Sequence, residues 1–127
     1  MSHDPLRVAD YLGHILEAIA RIGRYTEDLV ETDFLDNEMI QDAVLRNIEI
    51  IGEAARNIER TAPDFAVKHS EVPWAVIYTM RNRILHGYFK VDIEIVWKTI
   101  QNDLPELAMQ IDGLLAMLES AAGKDCH

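Results

Sequence analysis

Cysteine is almost absent from this chain. The single one, Cys126, sits beside the C-terminus, so neither a disulfide framework nor a thiolate metal site can be built within one chain. Six glycines and four prolines are few, and the aliphatic residues fall in long periodic runs rather than short strands, which reads as all-helical. No apolar stretch approaches the ~20 residues that span a bilayer, and Asp4, Arg7 and Asp10 precede any apolar run, so no signal-peptide core is present. A cytoplasmic protein with no membrane contact is expected. Positive charge is scarce as well: 12 Lys and Arg stand against 22 Asp and Glu, a net charge of −10. That balance argues against non-specific nucleic-acid binding by a broad basic patch.

The charge is unevenly spread. Residues 66–90 hold four basic side chains and one acidic one, whereas the segments on either side are strongly acidic. An acidic protein with one local basic segment is expected to bind a specific phosphate rather than coat a polyanion. The 127 residues suffice for a single domain over 1–127 that buries a core unaided. There is no internal repeat, low-complexity segment or linker.

Along the chain, Asp4 is expected to cap a first helix with Pro5 at its first position, running to about Val30. Val8, Tyr11, Leu12, Ile15, Ile19, Ile22, Tyr25 and Leu29 mark its apolar face. Glu31 to Asn37 reads as a short acidic connection, with Asp36 or Asn37 capping a second helix that ends near Arg60. The non-core positions of this helix are polar in both signs: Arg46, Asn47, Glu49, Glu53, Arg56 and Asn57. Pro63 lies in the stop that follows, and Phe65 to Val72 reads as a loop or a short turn of helix. Pro73 suits the first position of a third helix, and Asp92 can cap a last long one. Pro105 predicts a kink or break near Asp103, which could cap a fresh start, and the tail over 121–127 is expected to fray. Together these give an up-and-down bundle of four to five helices, whose surplus apolar faces suggest a homodimer.

The third helix, Trp74 to about His86, carries most of the chemistry. On a helical wheel Trp74, Ile77, Tyr78, Ile84 and Leu85 share one side, and Arg81 lies near the middle of that stripe. A guanidinium cannot shed its proton, so a buried Arg81 needs a carboxylate, a water-filled cleft or an anionic ligand. Glu49 and Glu53, four apart on the second helix, are candidates for the carboxylate. Gly87 suits the position just past a helix end, which places His86 in the last turn and Tyr88 just beyond.

The run Val72-Pro73-Trp74, Met80-Arg81-Asn82-Arg83-Ile84-Leu85-His86-Gly87-Tyr88, then Val91-Asp92 and Ile95-Val96-Trp97, closely resembles the HEPN-domain ribonuclease toxins of the HepT family. Ile48-Glu49-Ile50-Ile51-Gly52-Glu53-Ala54-Ala55 on the second helix is similar to that family too. The family hallmark, Arg-x-x-x-x-His-x-Tyr, stands here as Arg81, His86 and Tyr88. The resemblance implies an all-α HEPN-type homodimer in which two hallmark helices line a shared cleft. It also implies a metal-independent endoribonuclease with Arg81 and His86 as the catalytic pair and no cofactor. By family analogy Asn82 orients the phosphate or His86, and Arg83 adds charge at the cleft rim. The partner implied is a minimal nucleotidyltransferase antitoxin (MntA-like) that adenylylates Tyr88, where a bulky anionic nucleotide would fill the phosphate site and repel RNA.

Elementary chemistry is compatible with that reading. Metal-free RNA cleavage needs a base for the 2′-hydroxyl proton, an acid for the 5′-oxygen and a cation for the phosphorane. An imidazole can supply either of the first two and a guanidinium the third. Arg81 and His86 stand about 140° apart on a straight helix, so either the helix end unwinds at Gly87 or the two cooperate across a dimer. Taken singly, Arg81 reads as a structural arginine paired with Glu49 or Glu53, His86 as a histidine stabilised by the helix dipole, and Tyr88 as packing over the helix end. Gly52 fits close packing or cleft formation. His14 reads as a surface or dimer-facing residue and His69 as a loop residue. No His or carboxylate spacing matches a metal signature such as H-E-x-x-H. The alternative function is a non-catalytic HEPN-type module that binds a nucleotide or a protein partner.

Overall fold

The structure, a computed structural model, describes residues 5–86 and 92–125, with side chains over 7–82 and 92–121. The proposed cap Asp4, Gly87, Tyr88 and Cys126 therefore lie outside the described residues, as do the side chains of Arg83 and His86.

Among the described residues every regular element is helical. α1 spans Pro5–Thr26, α2 Glu31–Leu35, α3 Glu38–Thr61, α4 Pro63–Lys68, α5 Trp74–His86, α6 Ile93–Lys98 and α7 Leu104–Asp125. α3 is the central element: α1 packs along one side of it and α5 along another, while α7 closes against α1. The core follows the expected periodicity. Val8, Leu12, Ile15 and Ile22 of α1 are buried against Val44, Ile48, Ile51, Ala55 and Ile58 of α3, and Leu107, Ile111 and Leu114 of α7 join them.

Two expected caps are in place. The Asn37 side-chain oxygen accepts from the Ile40 N–H at 3.0 Å and starts α3; one Asp92 carboxylate oxygen accepts from Glu94 and Ile95 and starts α6. Each satisfies N–H groups that a helix start leaves without partners.

The structure differs from the sequence expectation at two places. α1 stops at Thr26 rather than near Val30, because the Thr26 carbonyl accepts the Leu29 N–H in a turn. Glu31 to Leu35 is a short helix, held by the buried ring of Phe34 packed 5.3 Å from that of Trp97. Gln41 secures its end by donating to the carbonyls of Phe34 and Leu35. Of the two readings left open for the segment from Phe65, the short helix is the one formed: Phe65 and Ala66 are buried on α4.

The interruption expected from Pro105 falls near Asp103 and takes the form of one widened turn over Thr99–Asp103, in which the Leu104 N–H reaches the Thr99 carbonyl with αR backbone on both sides; Asp103 caps no fresh start. Proline lacks an N–H and its ring crowds the carbonyl four residues back, and widening the turn relieves that crowding without ending the helix. α7 then continues to Asp125. No described helix is long and apolar enough to cross a membrane.

Candidate active site

The site is built where α5 crosses α3. Gly52 is buried at the crossing, and a Cβ placed on it would collide with the Arg81 Cβ, lie 2.8 Å from its Cγ and 3.3 Å from the Ile77 carbonyl. Only glycine permits this approach without displacing α5. The neighbouring turns add specific contacts, with the Arg56 guanidinium stacked 4.8 Å over the Tyr78 ring.

Arg81 is thereby held half-buried, its side chain 17% exposed. Its Nη2 lies 2.8 Å from Oε2 of Glu53, and its Nη1 donates to Oδ1 of Asn82 at 3.0 Å. The sequence left Glu49 and Glu53 both open as its partner, and the structure chooses Glu53. Glu49 instead accepts from Arg46 Nη1 at 3.2 Å. Two ion pairs thus stand side by side on successive turns of α3, with a guanidinium held from two directions and carrying further N–H donors that have no partner among the described residues.

A cavity of about 260 Å³ opens beside Arg81. Arg46, Glu49, Glu53 and Asn57 supply its polar wall, Ile50 and Ala54 its apolar floor, and His14 of α1 its far side. His14, read from the sequence as a surface or dimer-facing residue, is exposed and also lines this cavity. The pattern was present in the sequence, because residues 46, 49, 50, 53, 54 and 57 recur at spacings of three and one, a single face of a helix.

A second cavity, about 340 Å³, lies between α3, α5 and α7. Ile48, Ile51, Ile77, Met80 and Leu107 make it apolar, and Glu71, Asp103 and Glu106 stand at its rim. Its size exceeds that of the Arg81 cavity, but its chemistry repels an anionic polymer. The Arg81 cavity is the candidate site.

α5 continues through His86, five residues after Arg81, so the backbone places both hallmark positions on the same helix. Among the described residues no three His, Cys, Asp or Glu side chains come together as a metal site.

A family model described as HepT-like, ribonuclease HepT-like, matches residues 15–114. The chain is 42% identical over 105 residues to "Probable ribonuclease HepT" of Thermococcus cleftensis, covering 83% of this chain and 93% of that one. It is 37% identical over 105 residues to a "Putative RNase" of Caldanaerobacter subterraneus, covering 83% of this chain and 91% of that one. It is also similar, at 39% identity over 109 residues, to a longer Methanocaldococcus jannaschii protein named "Gamma-glutamylcyclotransferase and putative RNase", covering 86% of this chain and 48% of that one. No solved structure matches the chain. The matched segment contains α3, the Gly52 crossing, Arg81, His86 and Tyr88, and the chain belongs to the HepT-like ribonuclease family.

Proposed function

We propose that the protein is a metal-independent endoribonuclease toxin that acts as a homodimer, with Arg81 and His86 as its catalytic residues. The observation that carries this reading is the fixed guanidinium of Arg81, half-buried at the mouth of a polar cavity and aimed by Glu53 and Asn82. A cation that cannot lose its proton, pre-oriented in a partly dry site, suits charge that develops on a phosphorane.

In the proposed reaction the 2′-hydroxyl of RNA attacks the adjacent phosphorus while an imidazole takes its proton. Arg81 stabilises the pentacoordinate phosphorane. The bond from phosphorus to the 5′-oxygen then breaks as that oxygen gains a proton, leaving a 2′,3′-cyclic phosphate and a 5′-hydroxyl. Base and acid roles fall to the His86 side chains of the two copies, which answers the angular separation of Arg81 and His86 on one helix. Glu53 and Asn82 position Arg81, and Arg83 adds positive charge at the rim. Neutralisation is by a minimal nucleotidyltransferase antitoxin that adenylylates Tyr88 and so puts a nucleotide where RNA would bind.

Total RNA incubated in EDTA with the wild-type protein and with His86→Ala tests this reading. Cleavage by the wild type alone is expected; equal cleavage by His86→Ala removes that residue from the chemistry.

The Arg81 to Glu53 pair also favours a second reading. A guanidinium balanced by a carboxylate is also what a structural ion pair looks like, as in a non-catalytic HEPN-type module that binds a nucleotide or a protein partner. Ligand binding without any RNA cleavage by unmodified protein would select it.

A further inference from the structure

The cavity beside Arg81 has a chemistry that phosphate binding does not use. Arg46 and Arg81 are matched there by Glu49 and Glu53, so its charge is balanced and charge alone does not select what fills it. What remains is a wall of directed donors and acceptors above an apolar floor. That combination suits a flat, neutral, polar ring, and about 260 Å³ holds one such ring rather than two stacked ones. The ring's face would lie on Ile50 and Ala54, and its edge would meet the polar wall.

The order of groups on that wall narrows the ring further. Arg46 and Glu49 are adjacent, joined by the 3.2 Å contact of Nη1 with Oε2, which leaves Oε1 of Glu49 without a hydrogen-bond partner among the described residues. The Glu49 side chain is 23% exposed while that of Arg46 is 69% exposed, so the carboxylate is the more enclosed of the two and the guanidinium has room to turn. Guanine presents two N–H donors, N1–H and the N2 amino group, directly beside two acceptors, O6 and N7. A carboxylate next to a guanidinium reads that sequence of donors and acceptors. Adenine and cytosine lack two adjacent N–H donors, and uracil offers only one.

We propose that this cavity is a guanine-reading subsite, with Glu49 accepting from N1–H and N2–H and Arg46 donating to O6 and N7. Asn57, which makes no side-chain hydrogen bond among the described residues, and His14 are left to meet the sugar or the remaining ring edge. The subsite lies against Arg81, so a guanosine held in it sets the neighbouring phosphate at the guanidinium. That guanosine binds does not depend on the ribonuclease reading; that it directs where RNA is cut rests on it.

The test has two arms. In the first, 5′-GMP, AMP, CMP and UMP are titrated into wild-type protein and into Glu49→Gln while the NMR signals of the Ile50 and Ala54 methyls and the His14 ring are followed. GMP is expected to shift these signals at concentrations about tenfold below the other three, and Glu49→Gln to remove the difference. Equal shifts from all four nucleotides, or none, would overturn the proposal. In the second arm, cleavage positions on one structured RNA are mapped with guanosine and with inosine, which lacks the N2 amino group. Wild type is expected to cut beside guanosine and, on the inosine RNA, to show a KM raised about tenfold with a smaller change in kcat. Cutting with no base preference overturns the subsite and leaves the ribonuclease standing. Selective GMP binding with no cleavage supports the subsite and sinks the ribonuclease. Arg46→Ala, at an exposed position, serves as a second variant should Glu49→Gln fail to fold.

Discussion

Nη2 of Arg81 and Oε2 of Glu53 meet at 2.8 Å across the line where α5 crosses α3, one residue from the glycine that lets the helices touch. The pair fixes the direction of the guanidinium. Because the Glu53 side chain is 49% exposed, solvent screens the interaction and its net contribution to stability is below about 1 kcal/mol. Glu53→Gln is therefore expected to leave the denaturation midpoint nearly unchanged while RNA cleavage falls about tenfold or more. A large loss of stability with normal cleavage would make Glu53 structural instead.

Gly52→Ala tests the crossing itself. Alanine gains about 1 kcal/mol in helix propensity over glycine, but its Cβ collides with that of Arg81 and crowds the Ile77 carbonyl. Backbone contacts cannot rotate away, and overpacking of this kind costs about 1–3 kcal/mol. Net destabilisation in urea unfolding and reduced cleavage are expected together. A more stable protein would mean that α5 does not approach α3 this closely.

Phe34→Ala is expected to destabilise by about 3–5 kcal/mol. Its ring is fully buried and lies against Trp97, so tryptophan emission should shift as the cavity is created. A neutral substitution would show that α2 does not dock on α6.

Asp92→Ala removes the acceptor for two N–H groups at the start of α6. A loss of about 1 kcal/mol is expected, seen as a lower Tm. Asp92→Asn should recover most of it, and a lack of recovery would implicate the charge rather than the cap.

Much of this was legible in the sequence because it is local. The caps Asn37 and Asp92 each act within three residues, and the apolar faces of α1 and α3 follow a helical period, so spacing alone finds them. Arg81 stood out because a charge on an apolar stripe has few physical solutions, and the structure supplies one of those foreseen, a carboxylate from the neighbouring helix. What escaped depended on long-range packing. Phe34 is a single aromatic in an acidic run, which carries no period, and its burial against Trp97 is a contact between elements far apart in the sequence. The choice between Glu49 and Glu53 turned on which of two adjacent turns faced α5, and Gly52 settles that by its position at the crossing. His14 gave no sign of its neighbours, since it reaches the Arg81 cavity from a different helix.

The most direct measurement is cleavage of a defined RNA in EDTA by unmodified protein, with Arg81→Lys and His86→Ala alongside. Lysine keeps the charge at position 81 but loses the planar fork that Glu53 and Asn82 hold. Wild type is expected to cut and to leave 2′,3′-cyclic phosphate ends, Arg81→Lys to fall by at least about a hundredfold with its fold intact, and His86→Ala to be silent. Full activity in either variant, or no cleavage by a wild type shown by mass spectrometry to be unmodified at Tyr88, would contradict a ribonuclease site at Arg81 and His86.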